Sequence, residues 1–253
     1  MNDVLSVNIK AMRYPQSKER GNLIENISFE APPNSIISFI GRTGAGKTTL
    51  LRMIAGLEDH YQGEIKLDGR IITKPSREIQ IIFQDYRLLP WKTVYENIEF
   101  ATNARKDSTG KAQIEKWLEI VGLQARRDAW PKTLSGGETG RVAFARAFVD
   151  QPKVLLMDEP FRGVDLITKF DLQKELMNAL DQQKTTVILV SHSIDEAVFL
   201  SDTIYVLADS PLSIKKQFIV DVPRPREQGD PRLGQITTEI TKYLSMRNGG
   251  KNG

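Results

Sequence analysis

The stretch Gly41-Arg42-Thr43-Gly44-Ala45-Gly46-Lys47-Thr48 decides the fold of this 253-residue chain. It fits the phosphate-binding loop pattern G-x-x-x-x-G-K-[ST], in which glycines let successive backbone N–H groups point at one phosphate. The apolar run 36–40 predicts a buried strand before the loop, and residues 49–55 predict a helix after it. In that context Lys47 would reach the β- and γ-phosphates, and the Thr48 hydroxyl would bind Mg²⁺. The sequence therefore predicts a nucleotide-binding site.

Composition places the chain among ordinary globular proteins, with 40% hydrophobic and 26% charged residues. A net charge of +3 is small for this length, so we expect no nucleic-acid partner. The chain has no cysteine, which excludes disulfides and thiolate metal sites. No apolar run approaches the roughly 18–20 residues that a membrane-spanning helix needs. Work at a membrane would therefore require docking onto another protein.

Strand and helix patterns alternate along most of the chain. This alternation predicts an α/β fold with a phosphate-loop core and a mixed, mainly parallel sheet covered by helices. Two early strands, at residues 4–13 and 22–31, predict an N-terminal antiparallel β subdomain, whereas residues 85–150 read as an inserted α-helical subdomain. We expect one domain over 1–222, with its core in 1–84 and 151–222. Residues 223–253 would form a connector, a helix and a tail disordered from Arg247.

Two acids follow the apolar strand 154–157. In phosphate-loop enzymes a carboxylate at the end of a neighbouring strand holds Mg²⁺ opposite the hydroxyl of the loop, and Asp158 fits that position. Glu159 could face an attacking water and act as a general base. The alternative is a pair of solvated acids at a strand end. The presence of the phosphate loop in the same chain favours the catalytic interpretation.

A second glycine-bearing turn, Leu134-Ser135-Gly136-Gly137-Glu138, precedes another predicted helix. A glycine turn at a helix start is a potential anion site, and Ser135 would also serve as the N-cap of that helix. The cap alone leaves the pair of glycines unexplained. The chain thus contains two potential phosphate-contacting turns.

Together these three segments resemble the ATP-binding-cassette ATPases, and the resemblance extends from the first strand to about Pro225. It implies that ATP and Mg²⁺ bind to the loop from Gly41 through Thr49. Gln84 matches the family glutamine that contacts Mg²⁺ and links the nucleotide to a membrane partner. His192 matches the switch histidine that touches the γ-phosphate. The implied catalytic set is Glu159, His192, Gln84 and Lys47, and the implied metal ligands are Thr48, Gln84 and Asp158.

The resemblance also implies a head-to-tail homodimer that closes around two ATP molecules. Ser135, Gly136 and Gly137 would contact the γ-phosphate held by the other copy, and Asp165 would lie in the loop that crosses the interface. Tyr14 lies where the family places an aromatic ring on adenine, although packing within the first strand is the alternative.

Local stretches around Pro90-Trp91, Ser191-His192 and 221–226 are similar to importers of nitrate, sulfonates and taurine. This similarity implies an ATP-hydrolysing subunit at the cytoplasmic face of the cell membrane. It would attach peripherally through permease subunits docked near Gln84–Trp91, and it would serve an extracytoplasmic solute-binding protein indirectly. The apolar cluster of Leu88, Leu89 and Trp91 fits that docking, unless it pins the insert to the core. A soluble non-transport ABC ATPase and an ATP-binding regulatory protein are the alternatives.

Two residues depart from the family pattern. Gly140 stands where the family commonly has glutamine, and Arg162 precedes the crossing loop. We expect both at the dimer interface, where Gly140 would weaken association and glutamine in its place would strengthen it.

Overall fold

The computed structural model describes residues 4–14, 21–102 and 108–249. They form two β-sheets and seven α-helices. Among these described helices, none combines the length and the apolar character needed to cross a membrane.

The smaller sheet is antiparallel. Its strands are β1 (Leu5–Met12), β2 (Ile24–Ala31), β4 (Tyr61–Leu67) and β5 (Arg70–Ile71), in the order β2-β1-β4-β5. Alternate residues of β1 are buried, as expected for a sheet with one face on the core. Leu5 pairs with Ala31 and with Leu67, which places the central strand β1 between its two neighbours in register.

The larger sheet is mainly parallel. Its strands are β3 (Ile36–Ile40), β6 (Ile79–Ile82), β7 (Val154–Asp158), β8 (Thr186–Ser191), β9 (Thr203–Leu207) and β10 (Ile214–Ile219), in the order β10-β9-β3-β8-β7-β6. Only β10 pairs antiparallel in this sheet. Every residue of β3, β7 and β8 is buried, because helices cover both faces of a parallel sheet. The carboxyl ends of these three adjacent strands lead into the phosphate loop, Glu159 and His192, respectively. Ligands bind at this edge of open α/β sheets.

The helices are α1 (Lys47–Ile54), α2 (Val94–Ala101), α3 (Ser108–Ile120), α4 (Gly136–Phe148), α5 (Leu166–Gln183), α6 (Ile194–Leu200) and α7 (Pro231–Gly249). Helices α2, α3 and α4 pack on one another in the predicted helical insert. Trp117 of α3 stacks on Phe148 of α4 with ring centroids 5.2 Å apart. Both rings belong to a hydrophobic cluster that continues onto the large sheet, so the insert is seated on the core.

The predicted connector after Val222 is tied down by Arg226. The side chain of Arg226 is 1% exposed, and its guanidinium donates hydrogen bonds to the carbonyl oxygens at the C-terminal end of α6: 3.1 Å to Val198, 3.0 Å to Phe199 and 2.8 Å to Ser201. Because the last carbonyls of a helix have no partner within the helix, a buried cation there satisfies them. The connector is therefore an ordered strap that leads into α7.

The sequence predicted the fold class correctly and missed two edge strands. β5 has two residues, and β10 reads Ile-Lys-Lys-Gln-Phe-Ile, which lacks regular alternation. Helix α7 continues through Arg247–Gly249, although the sequence predicts a disordered tail from Arg247. The rest of that tail, 250–253, lies outside the described residues.

Candidate active site

The phosphate loop joins β3 to α1 through two glycines with left-handed backbone. Gly44 has φ +83° and Gly46 has φ +103°, values that residues with a side chain rarely adopt. A Cβ on Gly46 would also lie 3.2 Å from Leu23 Cγ. Gly46 is the N-cap of α1, and no side chain accepts a hydrogen bond there. The first N–H groups of α1 therefore remain available to an anion at the positive end of the helix dipole.

Lys47 and Thr48 begin α1 and point into the same space. Lys47 Nζ donates to the carbonyl oxygens of Gly41, at 2.8 Å, and of Arg42, at 2.6 Å. Burial lowers the pKa of Lys47, while the negative charges of Glu159 and Asp158 act in the opposite direction. This ammonium group is held across the loop, where it can reach phosphate oxygens.

Asp158 lines the cavity beside Thr48. Thr48 Oγ1 donates to Asp158 Oδ2 at 2.8 Å, which brings the two predicted ligands into contact. Burial raises the pKa of Asp158, and the hydrogen bond from Thr48 partly opposes this effect. Gln84 lines the same cavity and offers an amide oxygen. Hydroxyl, carboxylate and amide oxygens form a donor set that suits Mg²⁺.

Glu159 lies beside His192, as the resemblance implied. Its backbone has φ +49°, and its N–H donates to Val190 O at 2.9 Å, which fixes it at the end of β7. Glu159 Oε2 is 3.3 Å from His192 Nδ1. Glu159 is 7% exposed, whereas the side chain of His192 is 53% exposed. A buried carboxylate next to an accessible imidazole can orient a water and accept its proton.

Arg162, whose side chain is 45% exposed, is a site residue of its own subunit, and its place at the dimer interface stays a prediction. Its Nη1 donates to Glu159 Oε2 at 3.0 Å and to Gln84 Oε1 at 3.5 Å. Arg162 therefore joins the predicted base to the predicted metal ligand. In a helix, an arginine three residues after a glutamate would predict an ion pair between the two side chains. Residues 159 and 162 lie in a loop between a strand and a helix, where this spacing predicts no such pair.

A cavity of 250 Å³ joins these residues. Its lining residues are Thr43, Gly44, Gly46, Lys47, Thr48, Thr49, Gln84, Asp158, Glu159 and Arg162. Tyr14 lies at its rim, with its hydroxyl 3.4 Å from Thr49 Oγ1 and its side chain partly exposed. Ala45 is buried within the loop.

The predicted signature turn lies outside this cavity lining, at the start of α4. Ser135 and Glu138 form a capping box, in which Glu138 N donates to Ser135 Oγ at 3.2 Å and Ser135 N donates to Glu138 Oε2 at 2.8 Å. A Cβ on Gly137 would lie 2.5 Å from Thr168 Cγ2, so a larger residue there would require Thr168 or the helices α4 and α5 to shift. Gly136 is exposed, and a Cβ added to it would meet nothing within 4 Å.

Comparison with known proteins identifies the family. The family model described as "ABC transporter" matches residues 24–162, a range that includes the phosphate loop, the signature turn and Glu159. The chain belongs to the ABC transporter family. The predicted family membership is confirmed.

Two relatives carry importer names. The chain is 41% identical to an aliphatic sulfonates import ATP-binding protein of Bacillus cereus over 95% of this chain and 96% of that protein. It is 37% identical to a nitrate import ATP-binding protein of Synechococcus elongatus over 90% of this chain, although the match covers 36% of that longer protein. These names confirm the narrower resemblance to sulfonate and nitrate importers.

Two solved structures share the fold. CbiO1 of Clostridium perfringens, part of the ABC transporter complex cbiONQ, has a TM-score of 0.76 at 23% identity and covers 98% of this chain and 96% of its own. The dimeric ATP-binding cassette MJ0796 with ADP and Pi has a TM-score of 0.74 at 24% identity, over 87% of this chain and all of that one. The predicted ABC ATPase fold is confirmed. The comparisons favour a transporter ATPase over the soluble alternatives.

Gly140, a departure from the ABC pattern, does not lie on the exposed face of α4. It is buried, and a Cβ there would be 3.0 Å from Tyr86 Oη and 3.3 Å from Leu172 Cδ1. The predicted position of Gly140 on the dimer interface is therefore wrong, since the residue faces the interior of its own subunit, whereas its effect on dimerisation stays a prediction. Glutamine at this position would have to displace Tyr86 rather than reach a partner.

Glu196 of α6 is a buried acid that the ABC motifs did not indicate. It is 8% exposed, and its Oε1 has no hydrogen-bond partner within the described part of the chain. Burial raises the pKa of Glu196 from an ordinary value of 4.5 to about 7, although Lys169 and a hydrogen bond from Ser191 lower it. Glu159 adds to the increase.

This raised pKa predicts that stability falls as the pH rises from about 4.5 to about 7. The folded chain retains a proton on Glu196 in this range, whereas the unfolded chain has released it. Glu196→Gln removes this titrating group. The urea midpoint of the variant, relative to that of the wild-type chain, should therefore be higher at pH 8 than at pH 5. Urea unfolding of both proteins at the two values measures the difference. A constant gap would show that Glu196 does not titrate in this range.

Proposed function

We propose that this chain is the ATP-hydrolysing subunit of an importer of small sulfonates, with Glu159 as the general base. The observation that carries the proposal is the contact between Glu159 and His192 at 3.3 Å, at the edge of the cavity that contains Lys47. A nucleotide-binding regulator would need the phosphate loop but not this buried carboxylate. The relatives that are 41% identical along nearly the whole chain support the importer assignment.

The cavity divides into a phosphate side and a metal side. Lys47 and the N–H groups of residues 41–49 would bind the phosphates, and Tyr14 would stack on the adenine. Thr48, Gln84 and Asp158 would hold Mg²⁺. When bound, Mg²⁺ supplies positive charge that offsets the charge on the phosphate oxygens.

Hydrolysis would depend on how Glu159 is positioned. Its Oε2 accepts a hydrogen bond from Arg162 and lies beside His192, so Oε1 would be the oxygen that contacts water. Glu159 would take the proton of the attacking water, and His192 would contact the γ-phosphate. Most of the remaining catalysis would be positioning and charge stabilisation.

A second copy would complete the site. Ser135, Gly136 and Gly137 lie away from the chain's own cavity, at a helix N-terminus that can meet an anion bound to another subunit. Asp165 caps α5 by accepting a hydrogen bond from Thr168 N at 3.1 Å, and it is exposed beside Gly163. The family resemblance supports the proposal that this loop lies at the dimer interface.

Ser135→Ala tests whether Ser135 contacts the ATP of a second copy in addition to capping α4. Thr93→Ala is the control, because Thr93 forms the same capping box on α2. The Thr93 box has Glu96 N to Thr93 Oγ1 at 3.2 Å and Thr93 N to Glu96 Oε2 at 2.7 Å. Each alanine variant should lose about 1 kcal/mol of unfolding free energy. Only Ser135→Ala should also weaken ATP-induced dimerisation, measured by gel filtration with ATP. Equal dimerisation of the two variants would confine Ser135 to capping.

The insert would present the surface for the permease. Trp91 is 68% and Phe100 52% exposed, whereas Leu88 packs against the core, so the apolar cluster divides between docking and packing. We propose that residues 85–150 act as the coupling unit of a domain spanning 1–222, with Gln84–Trp91 against the permease. The chain would then lie peripherally on the cytoplasmic face of the membrane, and an extracytoplasmic solute-binding protein would deliver the solute.

The solute is tested with the whole transporter in vesicles, reconstituted from this chain, a cognate permease and a cognate solute-binding protein. We expect an alkanesulfonate to stimulate ATP hydrolysis and nitrate to have no effect, with Glu159→Gln as the baseline. Stimulation by nitrate alone would show that the solute is nitrate rather than a sulfonate. Stimulation by neither anion would overturn the assignment to small oxyanions.

A further inference from the structure

Tyr86 lies two residues after Gln84 in an unusual backbone conformation. Its φ is +55°, and that of Arg87 is +46°, so two consecutive residues with side chains adopt the left-handed region. Such conformations cost free energy and persist where surrounding contacts enforce them. Tyr86 itself is 8% exposed, so its side chain packs inside the protein.

Arg146 of α4 supplies part of this enforcement. Its Nη2 donates to Tyr86 O at 2.5 Å, and its Nη1 donates to Arg87 O at 2.8 Å. Burial lowers the pKa of Arg146, which reflects how far the guanidinium is removed from water. Tyr86 N also donates to Phe83 O at 2.9 Å. The backbone after Gln84 is thus attached to the end of α4 and to the residue that follows β6.

The side chain of Tyr86 reaches the backbone next to Glu159. Its hydroxyl donates to Pro160 O at 2.7 Å, a buried hydrogen bond between residues 74 positions apart. Burial and the charge of Glu196 raise the pKa of Tyr86 to about 12, so the hydroxyl remains a donor. Pro160 directly follows Glu159, and the φ of Glu159 is itself left-handed.

Gly140 makes the space for this contact. A Cβ on Gly140 would lie 3.0 Å from Tyr86 Oη and 3.2 Å from Tyr86 Cζ. Tyrosine at 86 and glycine at 140 therefore form a complementary pair between the loop after Gln84 and α4. This pairing gives a physical reason for the departure from the family pattern at residue 140.

We propose that Tyr86 is a positioning residue that sets the placement of Glu159 through the carbonyl of Pro160. Tyr86 thereby connects the segment that includes Trp91 with the residue proposed to activate water. The inference rests on the proposed role of Glu159, and its test separates the two.

The first test is Tyr86→Phe, with Tyr205→Phe as the matched control. Tyr205 is 9% exposed and packs on Phe39 in β3, so the control removes a hydroxyl at equal burial away from Glu159. In single-turnover hydrolysis by the full chain, we expect Tyr86→Phe to lower the maximal rate about tenfold, with the ATP concentration for half-maximal rate within about twofold of wild type. Tyr205→Phe should leave both values unchanged.

The second test uses Gly140→Ala, alone and combined with Tyr86→Phe. Alanine is a better helix former than glycine, so a lower rate would not arise from a weaker helix. The added methyl group should displace the tyrosine hydroxyl and lower the rate as Tyr86→Phe does. The double variant should be no slower than the slower single variant, because both changes disrupt one contact.

A wild-type rate for Tyr86→Phe would overturn the inference, and so would equal losses in Tyr86→Phe and Tyr205→Phe. Glu159→Gln is measured in the same assay. If that variant hydrolyses ATP at the wild-type rate, the role proposed for Glu159 fails. If it is inactive and Tyr86→Phe is unaffected, only the positioning role of Tyr86 fails.

Discussion

Glu159→Gln should lower ATP hydrolysis by at least about a hundredfold while ATP still binds. Glutamine keeps the size of the side chain and an oxygen that can accept the hydrogen bond from Arg162, but it cannot take a proton from water. Lys47, Thr48 and the glycine loop are unchanged, so the phosphates should still be held. Because ATP would persist between two copies, the variant should accumulate as an ATP-bound dimer.

Phosphate release measures the turnover of this variant, and gel filtration with ATP measures the dimer. Glu78→Gln is a suitable control, because Glu78 forms surface ion pairs with Arg70 and Lys153 far from the loop. The control should hydrolyse ATP at the wild-type rate and should not accumulate as a dimer. Unchanged hydrolysis by Glu159→Gln would remove Glu159 from the role of base.

Arg226→Ala should cause the largest loss of stability, about 3 kcal/mol in unfolding free energy. The substitution removes a buried guanidinium that lies 3.6 Å from Asp202 and satisfies three carbonyls at the end of α6. Two further carbonyls, of Val220 and Val222, also accept hydrogen bonds from Arg226. Alanine would leave these buried acceptors without their donor, and water could replace it only if the strap moved.

Urea unfolding monitored by circular dichroism measures this loss. Arg232→Ala provides the contrast, because its ion pair with Asp230 lies at the surface and should contribute little to stability. Arg226→Lys should fall between the two, since an ammonium group has three donors and no planar fork. Equal midpoints for Arg226→Ala and Arg232→Ala would show that the strap does not contribute to global stability.

The nucleotide motifs could be predicted because their requirements are local. Gly44 and Gly46 are needed for the backbone that they themselves adopt, and the acids follow the end of an apolar strand that is visible in the sequence. The adjacency of Glu159 and His192 was available only through the family resemblance, because it depends on β7 and β8 being neighbours. The order and register of the strands depend on tertiary structure, and the residue pattern of a single strand does not predict them.

The contacts that the sequence did not reveal join residues far apart in the chain. Tyr86 and Pro160 are separated by 74 positions, and Arg226 reaches α6 across 25 to 28. The sequence showed that glycine is unusual at position 140, but whether this position faces the interior depends on which side of α4 packs inward. The inward face of a helix can be predicted when its apolar residues form one stripe. In α4 apolar residues occupy most of the helix surface, so the sequence does not show which face packs inward.

Helix α4 carries Ser135 at its start, Gly140 in its first half and Arg146 near its end. Thirteen residues at 1.5 Å each make this helix about 20 Å long. It therefore joins the exposed glycine turn at one end to the backbone of Tyr86 and Arg87 at the other. A displacement of one end would reach the other unless the helix bends, and Gly140, the residue between them that least favours a helix, is where we expect it to bend.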